Sequence, residues 1–435
     1  MTLFEELRAR GLVHQVAEHE ELPLARLLER PQTVYAGFDP TAPSLHVGNL
    51  IPLLGLRRFQ RAGHRVIALA GGATGMVGDP SGKSEERNLL SAEELAANVA
   101  AIKGQLERLI DFRDGRALLV DNLDWTREVR YLDFLREVGK HFTVNSMLRK
   151  DSVRGRLERE GAGISYTEFS YMLLQAYDFL HLYREHDCKV QVGGSDQWGN
   201  ITAGTELIRR KLGGAAYGLT FPLLLNREGA KFGKTAQGAV WLDPARTSPF
   251  AFRQFWFNTP DEQVVALLRY FTFLPLEEIE AHAADVAARK NPQAAQRALA
   301  RAMTELVHGT EEAEKVERAA AALFRKDVDY REVPPEYLED AFAGAPQVDL
   351  PGERLDGEGI AWLDLVVFAL RDDAAPDRPV SKSKARRLIA QNALALNGER
   401  IADPERRVTP SDLVHDRWLV LRKGKKHTVL VRVVS

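Results

Sequence analysis

The chain has 435 residues, 45% of them hydrophobic and 28% charged, with a formal net charge of −2, a composition that suits a globular protein of several domains and excludes a disordered or fibrous one. A single cysteine, Cys188, excludes an intrachain disulfide. No apolar run reaches the roughly 18–20 residues of a membrane span, and the charged opening MTLFEELRARG is not a secretory signal, so a cytoplasmic protein with no membrane contact is expected.

Taken in chain order, residues 3–30 carry a helical period, and TVYAGF (33–38) reads as a short apolar strand. A loop at 39–44 leads into a helical pattern from His46 to Ala62, and HRVIALAGG reads as a second strand. A long helix is expected over 91–111, a strand at RALLVD, helices over 128–183 with a break near 161–164, a strand at CKVQVGG and a helix at 200–212. Strands alternating with helices predict an α/β fold built on a parallel, Rossmann-like sheet, with ligands beyond the carboxyl ends of the strands. The loops that fall there are 39–49, 71–83, 193–199 and 226–235. From 247 to 325 the pattern is helical, and the acidic, proline-bearing stretch 328–352 reads as a linker. A small α+β domain follows, with a helix at 361–371, the basic helix SKSKARRLIAQN, a hairpin at LALNGERI and a strand at HTVLVRVV.

Charge is spread unevenly. Residues 378–435 hold 14 Lys/Arg against 5 Asp/Glu, or +9, leaving −11 on the remainder, which points the C-terminal end at an anionic partner. In PSLHVGN (43–49), His46 and Asn49 share one face at a helix N-terminus, where free N–H groups attract anions. The run GGATGMVGDPSGKSEER misses the P-loop pattern, because Val77 stands where it needs glycine. It reads either as a flexible surface turn or as a mobile lid whose Lys83 and Arg87 fold over a phosphate. KFGKT (231–235) follows the apolar LTFPLLL and offers Lys231 and Lys234 as point charges. Tyr171, Gln175 and Asp178 lie along one face of a helix, either as an exposed polar stripe or as a clasp for a polar ligand in an apolar pocket. No metal-ligand spacing occurs.

Together HVGN, KFGKT, YAGFDPTAPSLHVGN, GGATGMVGDPSGK, YMLLQAYDF and GGSDQWGN resemble the bacterial tyrosyl-tRNA synthetases, of the class I aminoacyl-tRNA synthetase family. The resemblance runs over residues 1–325 and resumes in a tail similar to S-four-type RNA-binding domains. It implies a catalytic domain at 1–246 with a dimer-interface insertion at about 125–165, a helical anticodon-arm-binding domain at 247–325, a linker at 326–352 and an RNA-binding domain at 353–435. It implies a homodimer whose partners are ATP, L-tyrosine and tRNA(Tyr), with Mg²⁺ arriving on ATP. Tyr35 and Asp178 are assigned to the substrate phenol, and Asp79, Tyr171 and Gln175 to its ammonium. Asp39, Gly48, Gly194, Asp196 and Gln197 are assigned to the adenylate. Thr41, His46 and Asn49 would donate to phosphate, with Lys83, Arg87, Lys231 and Lys234 closing on the β/γ-phosphates. Arg209, Arg210 and Lys211 would meet the acceptor end of tRNA, and Lys382, Lys384, Arg386 and Arg387 its backbone. Asn49 departs from the second histidine of the usual signature, yet its amide donates from a similar place. Three rival readings share parts of this pattern: a tryptophanyl-tRNA synthetase, a nucleotidyltransferase with a similar His-x-Gly-His turn, and a non-enzymatic RNA-binding protein.

Overall fold

A computed structural model describes residues 1–434 apart from 82–89, 158–162, 225–231, 236–237, 324–327, 343–344, 373–374 and 425–426, with Asp151, Ser152, Arg156, Lys234, Thr235, Ala375 and Pro376 described by their backbones alone. The chain forms two compact units. The first comprises 1–247 and 257–303, the second 248–256 and 304–435.

The first unit is built on a six-stranded sheet: β1 (Gln15–Ala17), β2 (Thr33–Phe38), β3 (Arg65–Ala70), β4 (Ala117–Asp121), β5 (Cys188–Gly194) and β6 (Tyr217–Phe221), in the order β1-β6-β5-β2-β3-β4. All pairs are parallel except β1 with β6. The parallel strands read as continuous apolar runs because helices cover both faces of such a sheet; five of the six residues of β3 are buried. Helix α1 (Leu3–Ala9) precedes β1, α2 (Leu50–Arg61) links β2 to β3, and α3 (Ala92–Leu109) links β3 to β4. Helix α4 (Tyr166–His186) enters β5, and α5 (Trp198–Leu212) joins β5 to β6. The sequence stops these helices where expected. Ser91 and Glu94 cap each other at the start of α3, Ser165 caps α4 by accepting from Glu168 N–H, and Gly213 ends α5 with a φ of +64°.

The central strand β2 pairs with β3 on one side and β5 on the other. The chain winds away from β2 in both directions, so a crevice opens beyond the carboxyl ends of β2 and β5. Two expectations change here. Residues 3–30 are not one helical stretch, since Gln15–Ala17 pairs antiparallel with β6, a tertiary partner that overrides the local period. The helix expected from His46 begins as a single 3₁₀ turn at Val47–Asn49, and α2 starts only at Leu50.

In the second unit, β7 (Gln347–Pro351), β8 (Leu394–Leu396), β9 (Glu399–Arg400), β10 (Trp418–Lys423) and β11 (His427–Val434) form a sheet ordered β9-β8-β10-β11-β7. Asn397 and Gly398 make the β8–β9 turn with φ of +49° and +93°, as the Asn-Gly pair requires. The expected linker is corrected. Within 328–352 lie a 3₁₀ turn (Tyr330–Glu332), a helix (Pro335–Ala341) and β7. The reason is visible in β10 and β11: Leu419, Leu421, Val429 and Val431 belong to one apolar cluster, whereas Trp418, Val420 and Leu430 belong to another that contains Tyr330, Val333, Tyr337 and Leu338. A sheet that is apolar on both faces needs cover on both, and the proline-bearing stretch supplies one cover. Its proline at the first helical position (Pro335) starts a helix instead of breaking one.

Candidate active site

A cavity of about 270 Å³ opens at the crevice between β2 and β5. It is lined by every sequence-predicted residue of the tyrosine and adenylate sets, together with Thr41, His46 and Asn49. Most arrive from the loops beyond the strands, whereas Tyr35 comes from within β2 and Tyr171, Gln175 and Asp178 from one face of α4.

The floor is formed by Tyr35 and Asp178. Tyr35, in the middle of β2, is 1% exposed, and its hydroxyl is buried with no hydrogen-bond partner among the described residues. Its ring lies 5.2 Å from that of Phe179. Burial, and then the neighbouring Asp178 carboxylate, push the phenol well above its usual pKa. Asp178, on α4, is 2% exposed. It accepts from Asn122 Nδ2 and from Trp125 Nε1, both at 2.9 Å. Burial outweighs these donors and raises the Asp178 carboxyl to about 7. Asn122 donates to Thr74 Oγ1 as well, at 3.1 Å, and accepts from Ala73 N–H at 2.7 Å, tying the glycine-rich turn to Asp178. Position excludes the exposed polar stripe: Tyr171 and Asp178 are buried, and both line the cavity with Gln175, whose Oε1 is buried without a partner among the described residues.

The middle of the cavity is acidic. Tyr171 donates to Asp39 Oδ2 at 2.7 Å, and Thr74 Oγ1 donates to Asp39 Oδ1 at 2.8 Å. Burial first, and then Asp39, raise the Tyr171 phenol. Asp79 accepts from Gln197 Nε2 at 2.6 Å and from Ser81 N–H at 2.9 Å, with Asn200 Nδ2 3.5 Å away. The glycines of the 71–78 turn therefore have a use that is not a P-loop. A Cβ on Gly71 would stand 2.3 Å from Asp39 Oδ1, and one on Gly72 would stand 2.2 Å from Asp121 Oδ1.

The mouth is built by the HVGN turn. His46 is its N-cap: Gly48 N–H donates to His46 Nδ1 at 3.0 Å, and His46 N–H donates to Asn49 Oδ1 at 3.0 Å. An accepting Nδ1 places the proton of the neutral ring on Nε2. A Cβ on Gly48 would lie 2.7 Å from His46 Cε1. The KFGKT segment meets this turn directly. Val47 N–H donates to Val240 O and Val240 N–H to Gly233 O, each at 2.9 Å, and a Cβ on Gly233 would come within 2.2 Å of Val47 Cγ2. Of the four expected phosphate cations, Lys83, Arg87 and Lys231 lie outside the described residues, as does the side chain of Lys234.

The expected tRNA cations stand elsewhere. At the end of α5, Arg209 donates from Nε and Nη2 to the two oxygens of Glu206, each at 2.8 Å. Arg210 reaches Glu206 at 2.5 Å and donates to His141 O at 2.6 Å, while Lys211 meets Glu137 Oε2 at 3.0 Å. In the second unit the basic helix is α6 (Lys382–Ala390). Lys382 pairs with Asp364 at 2.9 Å and Lys384 with Asp372 at 3.0 Å, whereas Arg386 and Arg387 are exposed. Among the described residues no group of three His, Cys, Asp or Glu side chains is placed to hold a metal ion, and no helix is long and apolar enough to cross a membrane.

Sequence reading missed Asn122, Trp125 and Gln191. Gln191 sits in register with Tyr35 on the adjacent strand, lines the cavity and leaves its Oε1 buried without a partner. Its signal was a glutamine inside the apolar CKVQVGG.

Comparison with known proteins gives the family. Residues 27–325 match the model of the family described as tRNA synthetases class I (W and Y), and residues 363–431 match that of the tyrosine–tRNA ligase SYY-like C-terminal domain. The chain is 50% identical over 436 residues to the tyrosine–tRNA ligase of Opitutus terrae, covering 100% of each chain. It is likewise 50% identical to that of Roseiflexus castenholzii over the same span and coverage. A solved C-terminally truncated mitochondrial tyrosyl-tRNA synthetase of Aspergillus nidulans aligns with a TM-score of 0.66 at 36% identity, over 74% of this chain and 94% of that one.

Proposed function

Since this chain belongs to the class I tyrosine–tRNA ligases, which couple tyrosine to tRNA at the expense of ATP, we propose the residues by which it does so. The tyrosine carboxylate is already a nucleophile, so the first step needs no general base. Its difficulty is the approach of an anion to a polyphosphate, and placement and charge stabilisation carry the rate. Asp79, Tyr171 and Gln175 hold the substrate ammonium, and Tyr35 with Asp178 holds the phenol. Asp39, Gly194, Asp196 and Gln197 line the adenylate, and Gly48 lets the nucleotide come close. Thr41, Asn49 and His46 donate to the α-phosphate as its charge develops, and Lys83, Arg87, Lys231 and Lys234 close on the β/γ-phosphates. Mg²⁺ enters bound to the ATP phosphates, offsetting their charge. The tyrosyl group then passes to the 3′ end of tRNA.

The observation that carries the phenol assignment is the buried, partnerless Tyr35 hydroxyl beside a buried Asp178. A substrate hydroxyl gives Tyr35 the partner it lacks and Asp178 a further one, and a substrate without a hydroxyl leaves the Tyr35 hydroxyl unpaired in a dry site. Amino-acid-dependent ATP–pyrophosphate exchange, run without tRNA on tyrosine, phenylalanine and tryptophan separately, tests it. Exchange with tyrosine alone is the expected result, and exchange with tryptophan overturns the phenol pair.

The remaining assignments are proposed on the same footing. Residues 1–246 are catalytic, 247–325 meet the anticodon arm and 353–435 bind RNA through Lys382, Lys384, Arg386 and Arg387. Arg209, Arg210 and Lys211 would have to exchange carboxylate and carbonyl partners for tRNA phosphate. A homodimer joined at 125–165 is supported by the exposed Tyr131, Leu132, Val144 and Leu148, a density of surface apolar groups that favours a partner. The protein is assigned to the cytoplasm, where its tRNA is.

A further inference from the structure

At the far end of α2 from the HVGN turn lies a second concavity of about 490 Å³, within the roughly 300–1,000 Å³ typical of small-ligand sites. Its walls are the last turn of α2, the last turn of α3 and the loop entering β4. Five guanidiniums face it, from Arg57, Arg61, Arg108, Arg113 and Arg116, against two carboxylates, Glu107 and Asp111. Arg113 and Arg116 both pair with Asp111, at 2.8 and 3.3 Å. Arg57, Arg61 and Arg108 have no carboxylate partner among the described residues.

Helix carboxyl ends favour cations, which accounts for one arginine on each helix and not for the surplus. The surplus is also crowded. Arg57, Arg58 and Arg61 all stand over the ring of Phe273, at 5.5, 4.5 and 4.6 Å. Arg58 is spent on the carbonyls of Tyr270 and Thr272. Burial, and then the charge of Arg61, lower the pKa of Arg57. Arg58 also meets the Glu6 carboxylate at 3.5 Å, so the like charges left over on the ring are Arg57 and Arg61; an anion shared between them stabilises the arrangement, and the planar guanidinium matches phosphate with two parallel donors.

We propose that this concavity is an oligophosphate-binding site, separate from the cavity at the β2/β5 crevice. The two sites lie at opposite ends of α2, whose 12 residues span about 18 Å. The guanidiniums occupy the Phe273 ring, so no aromatic face is left for a base to stack on, and the recognised part is the phosphate chain. A free oligophosphate and the phosphate tail of a nucleotide present the same chemistry.

The test is calorimetric titration of inorganic tripolyphosphate into the full chain, in the wild type, Arg108→Gln and Arg61→Gln/Arg108→Gln. One fewer site per chain is expected in the double variant, with ATP–pyrophosphate exchange unchanged. Arg108 makes no hydrogen bond or ion pair among the described residues, so its single replacement leaves folding alone, and a weakening of about threefold or more at this site is expected from it. ATP and GTP titrated in parallel separate the sources: equal affinities at this site are expected, and a site that takes ATP but refuses tripolyphosphate overturns the proposal. So does an unchanged number of sites in the double variant or, where that variant fails to fold, an unchanged isotherm in Arg108→Gln.

Discussion

His46 and Asn49 hold each other: the His46 N–H donates to Asn49 Oδ1 at 3.0 Å, while His46 Nδ1 accepts from the intervening Gly48. The asparagine at the second signature position is thus a cap for the turn that presents the histidine. Asn49→Ala is expected to cost about 1 kcal/mol of stability, the usual value of a lost cap, and to lower ATP–pyrophosphate exchange more than the stability loss explains. Denaturant unfolding and exchange kinetics on one preparation check both.

Gly48→Ala separates geometry from stability. The added Cβ meets His46 Cε1 at 2.7 Å and Nδ1 at 2.9 Å, so the imidazole must turn away from the cavity. Exchange is expected to fall by roughly tenfold or more while unfolding shifts by no more than about 1–3 kcal/mol. A variant with full activity would remove the close approach from the mechanism.

Asp178→Ala leaves the Tyr35 hydroxyl without its anionic neighbour and frees the Asn122 and Trp125 donors. Lost pairing of a buried polar group is worth about 1–3 kcal/mol, so the preference for tyrosine over phenylalanine is expected to drop by about ten- to a hundredfold in exchange assays. An unchanged preference would sink the assignment.

Asp178 also makes stability depend on pH in an unusual direction. Its folded carboxyl sits at about 7 against 3.8 unfolded, so the native state binds the extra proton, and stability falls as pH rises between those values. A carboxamide in its place cannot titrate. Compared with wild type, Asp178→Asn is therefore expected to gain stability progressively from about pH 4 to 7, by a few kcal/mol in all, with no further gain above 7. Unfolding curves at a series of pH values give the difference directly; a gain that grows only above pH 7 contradicts the cause.

For the tail, replacing Arg386 and Arg387 by alanine is expected to weaken tRNA binding and to reduce the slope of log K against log salt by about 1 per lost phosphate contact. Tyrosine-dependent exchange without tRNA should stay as it was. Filter binding at several salt concentrations reads the first, and exchange reads the second.

The sequence by itself determined the parts that are local. Apolar runs ended by glycine or aspartate marked β2, β3 and β5, and the motifs fell in the loops just past them, because a parallel sheet puts its ligand crevice there. Asp39, His46, Asp79 and Gln197 were readable for that reason, Tyr171 and Asp178 because they share one helix face, and Tyr35, inside β2, only through the family resemblance. Tertiary structure alone decided what depends on partners distant in the chain. Asn122 and Trp125 reach Asp178 across more than fifty residues, and nothing in their own surroundings marks them. The 15–17 segment becomes a strand only because β6 offers an open edge. Residues 328–352 look like a linker until β10 and β11 expose a second apolar face to be covered. Even the charge of Asp178 was unreadable: a carboxylate in a sequence is an anion by default, and only burial raises its pKa.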